Sequence, residues 1–388
     1  MAIKQMDRAF LGRSEPPEDL RVVKARGSTV VDSRGKEYID FFAGWCVGNL
    51  GWGHREIRAR LRGFRGPDYV APSFQYGPWG EVAALLAELS PGKLKVSFRA
   101  TGGTEAIEIA LQASIIVTGR HKFASIEGSY HGNSIAARSV GSSEQLGLLT
   151  GCHKVAPPLD RDALGRVETI LSKRETAAFV MEPIICNLGV MVPSDEFMVG
   201  LHHLCRRYGT LLVMDEVACG FGRTGKMFAS EHFAIQPDIM CLAKALTGGH
   251  APMGATIVTS EVAKALGKDF DLYSTYGWHP LSVEAAIANL RYLKQHRAAL
   301  MRNVADRSAE IEARLHEMEF RSTATIRAKG LAIGVELEDE DYADSIAEKA
   351  RAGGLLISSE EGVIQIFPAI NIKRSAVKKG LDILERSL

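Results

Sequence analysis

From about position 95 onward, short apolar runs alternate with longer stretches in which apolar positions recur every three or four residues. The runs are 96–99, 122–126, 177–181, 211–214, 239–242 and 255–259, with helical stretches at 104–117 and near 196–208 between them. Strands that are apolar on both faces, with helices separating them, predict a mainly parallel sheet covered on both sides. Upstream, β-branched and aromatic residues over 28–42 flank the polar turn Asp32-Ser33-Arg34-Gly35-Lys36, which predicts a hairpin. Downstream, 282–318 contains neither glycine nor proline and reads as a long helix, or two joined ones, leaving the large sheet. A second, smaller α/β unit follows, with strands at 330–337 and 362–367 and helices at 342–351 and 375–385. No repeat, low-complexity tract or flexible linker divides the chain, so the two lobes are expected to pack together.

A chain of 388 residues has enough length for two unequal lobes. Its 47 basic and 46 acidic residues leave a formal charge of +1, so no bulk field points toward nucleic acid or an anionic membrane, and small molecules are the expected partners. Six scattered cysteines without C-x-x-C spacing argue against a disulfide framework and a zinc site, and for reduced thiols. The first eight residues lack an apolar signal core, and no stretch approaches the roughly 18 apolar residues of a membrane span. A cytoplasmic location without membrane or metal is the expectation.

Chemistry concentrates where the apolar runs end. Asp215 closes the run Leu211-Leu212-Val213-Met214, at the strand end where open α/β sheets bind ligands. Lys244 follows another run and sits among small residues, so its amine can reach inward. An amine and a carboxylate in these positions are what pyridoxal 5′-phosphate requires: one forms a Schiff base with the aldehyde, the other keeps the pyridine nitrogen protonated. Thr101-Gly102-Gly103-Thr104 follows a strand and opens a helix, where backbone N–H groups and the Thr104 hydroxyl suit a phosphate. Gly128-Ser129-Tyr130-His131-Gly132 can lay a ring over the pyridine, and Glu182, before Pro183, can point into the same cleft. Each residue also has an ordinary structural reading. Asp215 and Glu182 can be satisfied strand-end acids, Thr101 or Thr104 an N-cap, and Tyr130 a half-buried turn residue.

Taken together, these residues resemble the class III (omega, subgroup II) aminotransferases of fold type I, over nearly the whole chain. The stretch Asp215-Glu216-Val217-Ala218-Cys219-Gly220-Phe221-Gly222-Arg223-Thr224-Gly225 is close to the family signature throughout, and Lys244 stands at the right distance. The resemblance implies a large cofactor-binding domain over 46–281. It also implies a small α/β domain assembled from 1–45 and, with a connecting helix, from 282–388. It further implies that Lys244 carries the cofactor and then moves a proton between substrate Cα and C4′. Asp215 would pair with the pyridinium, and Val217 would pack on the ring face opposite Tyr130. Gly102, Gly103 and Thr104 would hold the phosphate, with His131 and Glu182 near the cofactor. Thr275, in Ser274-Thr275-Tyr276-Gly277-Trp278-His279-Pro280, would reach the phosphate of a neighbouring subunit, making the active site a homodimer property.

Two departures stand out. Many members have serine where Gly102 stands. Many also have a carboxylate-gripping arginine where Gln365 stands in Ile364-Gln365-Ile366-Phe367-Pro368, and a glutamine cannot form the charged bidentate fork. Trp45, Tyr76 and Gln365 are the candidate substrate residues. The expected activity is ping-pong transfer of an amino group between an amine or amino acid and a keto acid or aldehyde. The alternatives are an aminomutase of the glutamate-1-semialdehyde type, a racemase or epimerase, and, remotely, a non-catalytic protein on this fold.

Overall fold

The computed structural model describes residues 6–7, 10–12, 20–141, 149–267 and 272–388; most of the N-terminal stretch read for a signal core lies outside them. Three N-terminal strands, β1 (Val22–Arg26), β2 (Thr29–Asp32) and β3 (Glu37–Asp40), form an antiparallel meander, one strand more than the expected hairpin. Its turn is held by Asp32, whose carboxylate accepts the backbone N–H groups of Arg34 and Lys36 and the Tyr38 hydroxyl.

The large sheet contains β4 (Leu94–Ala100), β5 (Lys122–Ile126), β6 (Cys152–Val155), β7 (Thr176–Met181), β8 (Leu211–Asp215), β9 (Ile239–Leu242) and β10 (Gly254–Thr259), in the order β4-β10-β9-β8-β7-β5-β6. Only β10 runs against its neighbours, so the expected mainly parallel sheet forms. Alternation along the strands divides the core. Phe179, Met181, Leu212 and Met214 pack with the helices Arg161–Leu171 and Asp195–Tyr208, whereas Ala178, Val180 and Val213 pack with the helix Gly103–Thr118. Both faces are thus buried, which is why these strands read as unbroken apolar runs.

The long helix Pro280–Glu317 begins with proline in its first turn, where no N–H is needed, and packs against the helices Arg55–Arg62 and Gly77–Leu89. At 38 residues it extends about 57 Å. Beyond it, β11 (Ala324–Lys329), β12 (Ala332–Leu337), β14 (Ser358–Glu360) and β15 (Val363–Ile366) form a third sheet in the order β11-β12-β15-β14, covered by the helix Glu340–Gly353. The short β13 (Leu355–Leu356) leaves that group and pairs in parallel with β3, joining chain ends more than 300 residues apart, as the Lys36 Nζ–H to Ala352 carbonyl bond at a separation of 316 also does. Among the described residues, no helix is long and apolar enough to cross a membrane.

Candidate active site

β4, β5, β7, β8 and β9 all end at one edge of the large sheet, so the residues that follow them converge there without being close in sequence. Asp215 is the last residue of β8 and is buried. Its Oδ2 accepts the Nδ1–H of buried His131 at 2.8 Å, and its Oδ1 accepts the Val217 backbone N–H at 3.0 Å. Two donors on different sides fix the carboxylate plane and hold it ready for a third, external donor. Among the described residues, the outer ring nitrogen of His131 has no partner, nor does Oε1 of Glu182.

Glu182 follows β7, and its other oxygen accepts the Cys186 backbone N–H at 3.3 Å. Burial, with the Asp215 charge adding to it, pushes the Glu182 carboxyl up to about 8, while the Lys244 charge acts the other way. At neutral pH this group is therefore largely protonated and can donate a hydrogen bond.

Lys244 begins a single 3₁₀ turn, Lys244–Leu246, just after β9. Its φ of +43° lies in the left-handed region, a conformation costing about 1–2 kcal/mol for a residue with a Cβ. The turn is secured from the long helix by buried Asn289, whose side-chain amide donates to the carbonyls of Ala245 and Leu246 at 2.8 and 3.1 Å. Sequence reasoning overlooked this residue, although a lone amide within Ala285-Ala286-Ile287-Ala288-Asn289-Leu290 was a signal for it.

The phosphate candidates lie alongside. Gly102 is the N-cap of the helix Gly103–Thr118 and supplies no side-chain cap; Glu105 instead reaches back to the Thr101 backbone N–H and hydroxyl. Neither threonine therefore caps the helix by the ordinary route, and the Thr104 hydroxyl faces the Tyr130-His131-Gly132 turn, accepting the Asn133 N–H at 3.4 Å. Glycine is required at position 132, and the space at Gly103 is tight. A Cβ on Gly103 would stand 3.1 Å from a Val217 methyl and 3.6 Å from Ala243, and one on Gly132 would lie 2.4 Å from the Thr104 hydroxyl. These contacts bring Gly103, Thr104, Val217 and the residue preceding Lys244 close together, and the Val217 N–H joins them to Asp215.

Other candidates stand farther out. Tyr130 is half exposed, and Thr275 is exposed in the turn that ends at Trp278. Tyr76 packs edge-on against Trp79 at 5.6 Å. Trp45 lies 6.0 Å from Phe367, beyond the end of β15. Gln365 is fully buried on β15, opposite Gly334 in the ladder; its Oε1 meets the Ser358 hydroxyl at 3.3 Å, and its Nε2 has no partner among the described residues.

Not all of the Asp215–Gly225 stretch serves chemistry. Glu216 is buried and turned away, accepting the backbone N–H groups of Ala229 and Ser230 at 2.8 and 2.7 Å. Fully buried Arg223 donates to the carbonyls of Leu331 and Pro368 and to Asn49 Oδ1, tying three distant segments together.

A planar, anionic cofactor fits this arrangement: an amine at one side, a doubly anchored carboxylate, two unpartnered buried polar atoms, and a glycine-lined helix start for a phosphate. Comparison with known proteins agrees. The family description "Aminotransferase class-III" matches residues 11–388. The acetylornithine aminotransferase of Methanosarcina mazei is 31% identical across 98% of this chain and 95% of that protein. The putrescine aminotransferase of Pectobacterium atrosepticum is also 31% identical, across 92% and 81% respectively. Among solved structures, the taurine:2-oxoglutarate aminotransferase of Bifidobacterium kashiwanohense, in complex with PLP and glutamate, superposes with a TM-score of 0.93 at 25% identity, covering 99% of this chain and 96% of that one. With the family pattern matched over almost all of its length and the cofactor's chemical requirements met at one sheet edge, the chain belongs to the class-III aminotransferases, enzymes that depend on pyridoxal 5′-phosphate.

Proposed function

We propose that the Asp215–Lys244 site runs a ping-pong transamination in which Lys244 is the proton carrier and Asp215 the partner of the pyridine nitrogen. The observation that carries this assignment is the convergence of Lys244, the His131-anchored Asp215 and the Gly103–Thr104 helix start on one sheet edge. Bound there, pyridoxal 5′-phosphate would supply the aldehyde and the electron-withdrawing protonated ring that amino-group transfer requires. Lys244 Nζ would be the group that takes up the substrate Cα proton and returns it on the cofactor side. Asp215 holds the proton on the ring nitrogen, and His131 and the Val217 N–H keep its carboxylate in plane. Gly102, Gly103 and Thr104 bind the phosphate, Val217 and Tyr130 flank the ring, and protonated Glu182 donates toward the cofactor side of the cleft.

The working unit is a cytoplasmic homodimer in which Thr275 reaches the phosphate of the neighbouring subunit. Exposed aromatic rings at Tyr69 and Tyr276, 5.8 Å apart beside that turn, support a covered face, and six free cysteines support a reducing compartment. Residues 46–281 form the cofactor domain and the two chain ends the small domain, a division that the β3–β13 pairing supports. Trp45, Tyr76 and Gln365 set substrate choice. Gln365 offers a neutral donor in place of a guanidinium, which favours amino donors recognised through uncharged polar or apolar groups.

A panel of amines and amino acids, each given alone and then with pyruvate or 2-oxoglutarate, tests the reaction class. One turnover per site with donor alone, resuming when the acceptor is added, is the expected result. Many turnovers from a single amino substrate without acceptor would instead identify an aminomutase or racemase.

A further inference from the structure

We propose that Trp278 is a positioning residue that locks the phosphate-binding helix start to the Thr275 turn, so that cofactor retention depends on the indole. The proposal rests on the assignment of Gly102–Thr104 and Thr275 to the phosphate.

Because β10 runs against its neighbours, its first residue, Gly254, lies at the same sheet edge as the end of β4 and pairs with Ala100. Gly254 is pressed onto the phosphate loop: a Cβ there would stand 2.3 Å from the Gly102 carbonyl oxygen and 3.0 Å from its nitrogen. The Gly254 carbonyl accepts the Trp278 indole N–H at 2.8 Å. The ring is almost completely buried, so this bond has no competition from water. One side chain thus connects the exposed turn carrying Thr275 to the strand end that backs Gly102.

The backbone at Trp278 sharpens the point. Its φ is +58°, in the region that favours glycine, and local preference alone would select against a tryptophan there. The contacts that hold it come from two directions. The Trp278 carbonyl accepts the indole N–H of Trp79 at 2.7 Å, and the Arg99 guanidinium stacks 3.8 Å from the Trp79 ring centre. Arg99 closes the circuit, because a Cβ on neighbouring Gly277 would lie 2.8 Å from the Arg99 carbonyl oxygen. Arg99 stands on β4, just before Ala100 and the phosphate loop. Trp79, Trp278 and Arg99 therefore form a closed clamp around the junction of β4, β10 and the Thr275 turn, and both indole donors are used within it.

Trp278→Phe in the full-length holoenzyme removes the donor while keeping an aromatic ring and the same backbone demand. The dissociation constant for pyridoxal 5′-phosphate, read by absorbance after dialysis and re-titration, is expected to rise about 5- to 150-fold, the range for a buried carbonyl that loses its partner. Turnover at saturating cofactor is expected to stay within about twofold, since no reacting atom is touched. A role confined to packing would lower the melting temperature and leave cofactor affinity within twofold of wild type, and that outcome overturns the proposal. If Trp278→Phe yields no soluble protein, Trp79→Phe, which removes the donor to the Trp278 carbonyl, is read in the same way: weakened cofactor binding supports the clamp, and wild-type affinity overturns it. A wild-type protein that takes up no pyridoxal 5′-phosphate would defeat the underlying phosphate assignment, whereas normal uptake with unchanged affinity in the variant defeats the clamp alone.

Discussion

Asp215 and Gln365 are both shielded from solvent, but their hydrogen bonds are distributed differently. At the large-sheet edge, each Asp215 oxygen already has a donor, from His131 and from the Val217 backbone. On β15 of the third sheet, Gln365 accepts the Ser358 hydroxyl at its oxygen and, among the described residues, leaves its amide N–H group without a partner. A buried donor left unpaired costs about 1–3 kcal/mol, so an external acceptor has something to gain there. The first site presents a carboxylate already oriented by the protein, beside the open His131 and Glu182 atoms, whereas the second presents a glutamine whose donor is unmatched among the described residues. This contrast supports the proposed division, with the common chemistry at the Asp215 edge and substrate choice on the β15 side.

Variants can break the contrast at its strong end or sharpen it at its weak one. Lys244→Ala should lose turnover by on the order of 10⁴-fold for every donor while the protein still binds the cofactor, as followed by steady-state assay and absorbance. Retained turnover would remove Lys244 from the chemistry. Asp215→Asn should lose about 10²- to 10³-fold in kcat, uniformly across a donor panel, because in the proposed role it removes a charge opposite the ring nitrogen and not a substrate contact. A loss confined to some donors would place Asp215 on the substrate side instead.

Smaller and selective effects are expected at Gln365. Gln365→Leu should leave the melting temperature unchanged or higher, since an unpaired amide is removed, yet lower kcat/KM about tenfold for donors that pair with it and little for apolar ones. An equal fall for all donors would erase the distinction between the two regions.

Glu182 gives the subtlest test, through pH. Its carboxyl titrates near 8 in the folded protein and near its ordinary 4.5 when unfolded, so the folded state binds more protons between those values. Stability from this group therefore declines as pH rises from about 4.5 to 8. In cofactor-free protein, thermal melts across that window should show a flatter pH dependence for Glu182→Gln than for wild type. Parallel curves would mean that Glu182 ionises normally.

Much of the architecture was legible because it is periodic. Six of the seven large-sheet strands and the helices Gly103–Thr118, Asp195–Tyr208 and Pro280–Glu317 appear at or within a residue or two of the positions that their apolar patterns predict. The misses have local causes. The edge strand β6 (Cys152–Val155) carries histidine and lysine and lacks a continuous apolar run, and β1 is exposed along most of its length. The helix Arg55–Arg62 is so rich in arginine that its single buried residue, Ile57, left little pattern to find.

For the site, the reading from sequence went as far as strand ends can take it. An apolar run that stops at an acid or at a lysine marks a position on a sheet edge, and glycines before a helix mark an anion site, so Asp215, Lys244 and Gly102–Thr104 could be proposed from short windows. Which surfaces they would face could not. Partners of Arg223 lie 108, 145 and 174 residues away in the chain, and the His131 side chain that meets Asp215 lies 84 residues before it. The orientation of Asp215 by His131, the turning of neighbouring Glu216 toward Ala229 and Ser230, and the left-handed backbone of Trp278 all arise from close packing between such distant segments. Residue type and spacing specify which groups can react, because periodicity and strand ends are local properties. Which groups are paired, strained or left open for a substrate is decided when the sheets and the long helix pack, because those interactions depend on contacts that no short stretch of sequence contains.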